Sequence, residues 1–560
     1  MRMEGEIREL IDAALAAKGL DAVAVTVEHP ADESHGDYAT NAALVAAKRL
    51  GANPRALAED LVAQMAGKSP NIESIEVAGP GFINFHIARS FFAEAVANAR
   101  AKGDAYGTND TRKGQEILFE YTSPNLWKPL HVGNLVGNIV GESVSRLFEA
   151  EGATLRRINY PSDIGLTVAK GVWGLKKTGG DPEDINAIGE AYRVGNEAYE
   201  TDETAKTEIE AVNRALYAGD DEGLKALRER GLRTSHRHLM ELCRMLGTSF
   251  DLEIRESEVS DIGTELVRTH TGDVFVESNG AVVFPGEQYG LHTRVFLNSQ
   301  GLPTYEAKDL GNFARKERAY PHWTHSYIVT GGEQREYFMV LFEAMRRVFP
   351  DTADKILAHI PTGFLTLTTG KMSSRKGNVL TAESLLASLM EEVEKRATES
   401  RAENLASLVE EVAVGALKYQ ILRQAAGQDI VFDKERALSL EGDSGPYLMY
   451  AHARMSSIEE KAAAAGMHAG TDAPEVPYAL ERFLYRFPEV VLRAGHECAP
   501  HHLVVYLTEL ASRFNAFYAV EKIVDDGDPY APYKLSLTKA ARVVLRNGLA
   551  LLGIAAPERM

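Results

Sequence analysis

At 560 residues, 45% of them hydrophobic, the chain can bury several cores, and ~150 residues per domain gives three or four units. Cys243 and Cys498 lie far apart and outside any CxxC spacing, which excludes a disulfide framework, argues against a zinc site and fits a reducing cytoplasm. A net charge of −19 excludes indiscriminate nucleic-acid binding but not a local basic track, no apolar run reaches the ~18 residues of a membrane span, and the charged start Met1-Arg2-Met3-Glu4 has no signal-peptide core.

The N-terminal part reads as a separate small α/β module. An apolar helix is predicted over 38–50, with Asp37 as its N-cap and Gly51 as its stop. Asn53-Pro54 supplies the cap and first-turn proline of a second helix, over 55–65. Two strand-like stretches flank Gly79-Pro80-Gly81, and the polar, Gly-rich residues 101–114 read as a linker.

Strand and helix then alternate. A strand over 116–120, a helix over 130–150 and a strand over 154–159 predict βαβ units around a parallel sheet. A charged helical insertion is expected over 171–252. Residues 273–284 read as a hairpin turning at Asn279-Gly280, with further strands at 294–297, 327–330 and 364–367. From 402 onward the pattern is helical almost throughout. Leu480, Phe483, Leu484, Phe487, Val491 and Ala494 recur at helical spacing, with Pro488 dividing two helices, and a second stripe runs from Leu503 to Tyr518. The fold class is therefore multidomain α/β with an appended all-α bundle.

Two segments carry chemistry. Ser123-Pro124-Asn125-Leu126-Trp127-Lys128-Pro129-Leu130-His131-Val132-Gly133-Asn134 follows a strand and opens a helix; Lys371-Met372-Ser373-Ser374-Arg375-Lys376-Gly377-Asn378 is a cationic loop. A nucleotide polyphosphate gathers more negative charge as pyrophosphate leaves, and helix N-terminal amides, compact donors and lysines answer it. His131 and Asn134 share one side of the first turn, and Gly133 allows close approach to the backbone. The pair reads as two halves of an ATP phosphate clamp.

The chain resembles the arginyl-tRNA synthetases, a family of class I aminoacyl-tRNA synthetases, nearly from end to end. Its HVGN and KMSSRKGN segments resemble the family's HIGH and KMSKS elements. Val77-Ala78-Gly79-Pro80-Gly81-Phe82-Ile83-Asn84 resembles the N-terminal domain, and Asn159-Tyr160-Pro161-Ser162-Asp163-Ile164-Gly165 a catalytic-domain element. Gly445-Pro446-Tyr447-Leu448-Met449-Tyr450 resembles the start of the anticodon-binding bundle. The resemblance implies an N-terminal tRNA-corner-binding domain over 1–107, a Rossmann-like catalytic domain over 108–401 and an anticodon-binding bundle over 402–560.

It also implies a two-step reaction. The carboxylate of L-arginine attacks the α-phosphate of ATP, with Mg2+, and the arginyl group passes to the 2′-hydroxyl of the terminal adenosine of tRNA(Arg). No enzyme nucleophile is required; rate comes from positioning and charge stabilisation. Carried over by position, His131, Asn134, Lys128, Lys371, Arg375 and Lys376 serve catalysis. Ser123, Pro124, Gly133, Met372, Ser373 and Ser374 hold ATP; Glu120, Asn125, Tyr305, Asp309 and Gln334 hold arginine. Tyr305 and Asp309, at i and i+4, share a helix face where a carboxylate can grip a planar guanidinium. No metal-ligand cluster is evident, and a cytoplasmic monomer is expected. The insertion is too short and too helical for an editing domain.

Two positions depart from the class I motifs. Asn134 replaces a histidine, so it donates a hydrogen bond without positive charge, and Ser374 replaces a lysine. Lys128 can make up the missing charge. Asn134 is also the one feature favouring a catalytically impaired paralogue that binds tRNA or amino acid. A nucleotidylyltransferase of the same fold is disfavoured by the appended bundle. In that bundle Tyr447, Tyr450, His452, Arg454, Arg513, Asn515 and Tyr518 could meet RNA, though helical spacing assigns most such aromatics to the core.

Overall fold

The computed structural model describes residues 3–21, 23–368, 381–396 and 404–560. At its centre lies a five-stranded, all-parallel sheet in the order Ile356–Thr362, His325–Gly331, Glu116–Glu120, Thr154–Asn159, Leu252–Glu253. The chain starts at the middle strand, winds to one edge, then returns to build the other side. The winding direction thus reverses between Glu116–Glu120 and His325–Gly331. Connections leave such a reversal in opposite directions, which opens a crevice beyond the strands' carboxyl ends.

The middle strand is apolar on both sides, with Ile117, Leu118 and Phe119 all buried, as a central parallel strand requires. Ile117 and Phe119 pack with Val144 and Phe148 of the helix Val132–Ala150 on one face. Leu118 packs on the other with Ala307 and Leu310 of the helix Tyr305–Ala319 and Phe338 of the helix Arg335–Val348. The strands expected at 116–120, 154–159 and 294–297 form with those bounds. Ile356–Thr362 carries no strand signal because Pro361 and His359 interrupt its apolar pattern; at the sheet edge a proline costs no ladder bond. The insertion is helical as expected, with Leu166–Thr178, Ile185–Thr201, Glu203–Ala218 and Glu222–Met245.

The N-terminal module holds an antiparallel sheet ordered Val27–Glu28, Tyr38–Thr40, Phe82–Ile87, Ile72–Ala78. The expected helix over 38–50 is shorter, Ala42–Leu50, because Tyr38 and Thr40 alternate inward and pair opposite Phe85 and Ile83. Asp37 caps nothing: its Oδ2 accepts from Ile87 N at 2.9 Å and its Oδ1 pairs with Arg482 of the bundle at 2.6 Å. Asn53 does cap Pro54–Met65, accepting from Arg55 N and Ala56 N. The stretch 101–114 is no free linker, since Tyr106 is buried and stacks on Phe487 of the bundle.

Leu405–Leu422, Gly445–Ala464, Phe487–His496, His501–Val520 and Ala531–Leu551 form the bundle, and Pro488 sits in the first turn of its helix, after a break from Glu481–Leu484. One strand ties bundle to core: Ile430–Phe432 pairs in parallel with Leu365–Leu367.

Candidate active site

Beyond Glu120 the chain leaves the sheet through a strained loop. Thr122, Ser123 and Trp127 have φ of 75°, 35° and 62°, values that cost a non-glycine residue of order 1–3 kcal/mol each. The fold holds the loop by its ends and middle. Leu126 N donates to Ser162 O at 2.9 Å and Ser162 N to Pro124 O at 3.0 Å, beside the bridge between Asn125 and Ser162. The Trp127 indole is fully buried against the insertion; its Nε1 donates to Arg228 O at 3.1 Å, and a Cβ on Gly231 would lie 2.3 Å from the ring. Ser123 lies beside the second strand's end, its N donating to Asn159 Oδ1 and its Oγ accepting from Tyr160 N, both at 3.2 Å. Pro124 is buried and Asn125 half-buried.

The loop delivers His131 as the N-cap of Val132–Ala150. His131 Nδ1 accepts from Gly133 N, and Asn134 Oδ1 accepts from His131 N, both at 3.0 Å: a capping box built from histidine and asparagine. Both outward groups are thereby fixed. With Nδ1 an acceptor, the neutral imidazole carries its proton on Nε2, and Asn134 has its Nδ2 hydrogens left to give. The exposed Gly133 lies under the imidazole, where a Cβ would meet His131 Cε1 at 2.8 Å, so glycine is needed there even without a ligand. The walls around the ring strip water from it, and Lys128 adds repulsion, so the His131 pKa falls below its ordinary value. Lys128 is half-buried, its pKa lowered by burial, with Nζ 5.8 Å from the Tyr192 ring centroid. Two donors and a lysine thus converge at a helix N-terminus, where the dipole already favours an anion.

Lys371, Met372, Ser373, Ser374, Arg375 and Lys376 lie outside the described residues. The first described residue after them, Thr381, bridges to His131, and Ala382 N donates to Leu130 O at 2.9 Å.

On the other side of the strand end lies an acidic pocket. Glu120 is buried, its Oε2 ion-paired with Lys316 and accepting from Asn312 Nδ2 at 3.0 Å. Asp309, Asn312 and Lys316 stand on one face of Tyr305–Ala319, at i, i+3 and i+7. Glu256 pairs with buried Lys308, and Asp163 pairs with Arg228 at 2.7 Å while Ser257 N donates to it at 2.9 Å. Among the described residues Asp309 has no cation; its Oδ2 accepts from Tyr337 Oη. Burial first, then the negative charge of Glu120 and Glu256, pushes its pKa up to about 8 against the pull of Tyr337.

Tyr305 makes no hydrogen bond to Asp309 among the described residues. It is 56% exposed at the helix start, with Lys308 Nζ 4.6 Å from its ring centroid, and Tyr337 is the tyrosine on the carboxylate. Gln334 is exposed at the N-cap of Arg335–Val348, past the carboxyl end of the neighbouring strand. Tyr337, Asn312, Lys316 and Tyr160 lie at the acidic pocket, and sequence reasoning did not single them out. Tyr160 stood within the Asn159–Gly165 motif, and Asn312 and Lys316 follow Asp309 at i+3 and i+7.

In the bundle, His452 is fully buried, its Nδ1 3.0 Å from Pro557 O. Arg513 pairs with Glu33 of the N-terminal module at 2.7 Å, and Asn515 bridges Arg454 and Tyr447. Tyr450 and Tyr518 reach the surface, with the Arg454 guanidinium 4.9 and 5.8 Å from their ring centroids. These three line a surface cavity of about 410 Å³.

A parallel sheet wound in two directions, a capped histidine at the first helix and an appended helical bundle define the class I aminoacyl-tRNA synthetase architecture. Consistent with that, the methionyl-tRNA synthetase of Mycobacterium tuberculosis shares the fold with a TM-score of 0.52 over 80% of this chain and 92% of that one, at 14% identity. The model of class I (R) tRNA synthetase catalytic domains matches residues 95–434, and the chain belongs to the arginyl-tRNA synthetase family. The arginyl tRNA synthetase N-terminal domain matches 5–87 and the DALR anticodon binding domain 448–560. An arginine–tRNA ligase of Limosilactobacillus reuteri is 32% identical over 98% of each chain, and that of Lactobacillus delbrueckii subsp. bulgaricus 30% identical over 99% of each. The arginyl-tRNA synthetase of Thermus thermophilus superposes with a TM-score of 0.81 at 25% identity, over the whole of both chains.

Proposed function

We propose that this chain is an arginine–tRNA ligase that forms arginyl-adenylate from L-arginine and ATP and delivers the arginyl group to the terminal adenosine 2′-hydroxyl of tRNA(Arg). The observation that carries this reading is a juxtaposition. A donor-rich, cationic helix N-terminus and an acidic pocket flank the end of one strand, as a reaction between a polyphosphate and a cationic amino acid requires. Asp309 receives the guanidinium. Lys316 and Asn312 both hold Glu120 Oε2, which leaves Oε1 for the α-ammonium, with Asn125 toward the substrate carboxylate. Tyr305 and Gln334 stand at the mouth.

His131 Nε2–H, Asn134 Nδ2 and Lys128 face the phosphates. Ser123, Pro124 and Gly133 line the nucleotide's path. The resemblance assigns Lys371, Met372, Ser373, Ser374, Arg375 and Lys376 to the nucleotide as well, and Thr381, the first described residue after them, bridges to His131. Mg2+ is read as arriving with ATP, whose phosphate charge it offsets. Nothing here favours a catalytically impaired paralogue, since Asn134 completes the capping box and keeps its amide donors.

Tyr450, Arg454 and Tyr518 are the bundle residues placed for base stacking, and the module within 1–107 would meet the outer corner of tRNA. No described helix is long and apolar enough to cross a membrane, and the reading is of a monomer working in the cytoplasm. ATP–pyrophosphate exchange with each amino acid, with and without tRNA(Arg), is the test. Arginine-dependent exchange is the expected result, and exchange with no amino acid would reject the reading.

A further inference from the structure

Two buried polar atoms in the acidic pocket lack partners among the described residues: Tyr160 Oη and Asn312 Oδ1. Both residues are more than nine-tenths buried, at 7% and 3% exposure. The Asn312 amide is fixed, because only its Nδ2 can donate to the Glu120 carboxylate, so the orphaned oxygen is an acceptor. Tyr160 is fixed as well. Its backbone N donates to Ser123 Oγ, and its ring packs in the core with Ile158, Leu310 and Ile328. The charges around its hydroxyl are Asp309, Glu256, Glu120 and Asp163, which with burial hold the phenol well above its ordinary pKa and therefore protonated. Three of those carboxylates already hold cations; Asp309 does not.

Folded proteins rarely leave such atoms unmatched, because an unpaired buried acceptor has lost water without compensation. Here the unmatched set offers two oxygens with nothing to accept, the Tyr160 hydroxyl and the Asn312 amide, beside the free side of the Asp309 carboxyl; the phenol hydrogen has carboxylates around it to turn to. A ligand that completes the oxygens presents donors to them. A guanidinium does so, with five N–H groups in a plane.

We propose that Tyr160 Oη and Asn312 Oδ1 accept hydrogen bonds from bound arginine and, with Asp309, set the enzyme's preference for that amino acid. This rests on the reading of the acidic pocket as the arginine site. Discrimination then falls at a point remote from the reacting carboxylate, since a ligand carrying an acceptor in place of one guanidinium nitrogen would meet the fixed Asn312 oxygen.

The test is Tyr160→Phe, with Asp309→Asn measured in parallel by exchange in the presence of tRNA(Arg). Tyr160→Phe is expected to raise KM for arginine about ten- to a hundredfold and leave KM for ATP alone, the loss of one hydrogen bond to a charged group. The ligand-free protein should melt no earlier than the parent, because the deleted hydroxyl has no partner to lose. Stabilisation by added arginine should shrink. An unchanged KM for arginine in Tyr160→Phe, alongside a raised one in Asp309→Asn, overturns this proposal and leaves the pocket assignment standing. Unchanged values in both variants overturn the pocket assignment too. A lower melting temperature with equal rises in KM for arginine and ATP would mark Tyr160 as packing and also reject the proposal.

Discussion

Two buried clusters of tyrosine and carboxylate sit in this molecule, and they are finished differently. Between the N-terminal module and the bundle, Glu489 Oε1 accepts from Tyr38 Oη at 2.6 Å and from Glu4 N at 3.3 Å, and its Oε2 meets His29 Nε2 at 3.1 Å. Asp37 is matched on both oxygens. In the acidic pocket, Asp309 meets one donor, and two neighbouring acceptors meet none. Composition and burial are alike; the saturation of the carboxylates differs, while Tyr485 Oη beside the first cluster also lacks a partner among the described residues. A saturated cluster joins parts of the fold, at a cost in desolvation that its own bonds offset. An unsaturated one stays costly until a ligand arrives.

The comparison is broken most severely at Asp309. Asp309→Asn keeps the shape and removes the charge. KM for arginine should rise ~100-fold or more in steady-state exchange while KM for ATP stays put, in line with the penalties for unpairing a desolvated charge. Equal rises for both substrates would remove Asp309 from the guanidinium site. Next in size is Lys128→Ala. Its ammonium is half-buried beside His131, and among the described residues no carboxylate pairs with it, so loss of developing-charge stabilisation should lower kcat of adenylate formation ~100-fold. An undiminished single-turnover rate would return Lys128 to an ordinary surface role.

The saturated cluster should answer in stability instead. Glu489→Ala strands Tyr38 Oη and frees the His29 ring, so unfolding free energy should fall by about 2–4 kcal/mol in a denaturant titration, with KM for arginine unmoved. A change in arginine KM there would tie the two clusters together and undo the distinction.

Much of this was legible in the sequence, for identifiable reasons. Strand Glu116–Glu120 and helix Val132–Ala150 announce themselves because burial on both faces and a 3.6-residue stripe are local patterns. The His131 motif was visible, but not that His131 and Asn134 cap one another, since both readings use the same residues. Asp37 was misread because a cap and an ion pair across domains ask for the same carboxylate, and its partner Arg482 lies hundreds of residues away. Tyr337 was invisible for the same reason: its helix follows the next strand, and only the winding of the sheet brings it over Asp309. Tyr305 was chosen by spacing; the helix begins at that residue, with its ring at the surface. Pairings set by topology leave no periodic trace.

The smallest expected effect is also the sharpest, because it reads saturation directly. Asp309, held at about 8 in the free protein by burial and its carboxylate neighbours, is largely protonated at neutral pH. Arginine's charge does not titrate, so binding must expel that proton. KM for arginine should therefore rise as pH falls below about 8, by at most about tenfold per unit. It should level off above that. The His131 pKa, lowered by burial and by Lys128, moves away from this window. Stability carries the opposite sign. Between the ordinary carboxylate pKa and about 8 the folded state holds a proton that the unfolded state has released, so the ligand-free protein loses stability as pH rises. Asp309→Asn should abolish both slopes, flattening the arginine KM profile while making the ligand-free protein relatively more stable at alkaline pH. A parent enzyme whose arginine KM is flat from pH 6 to 9 would mean that Asp309 is already ionised and matched in the free state, which would erase the contrast with Glu489.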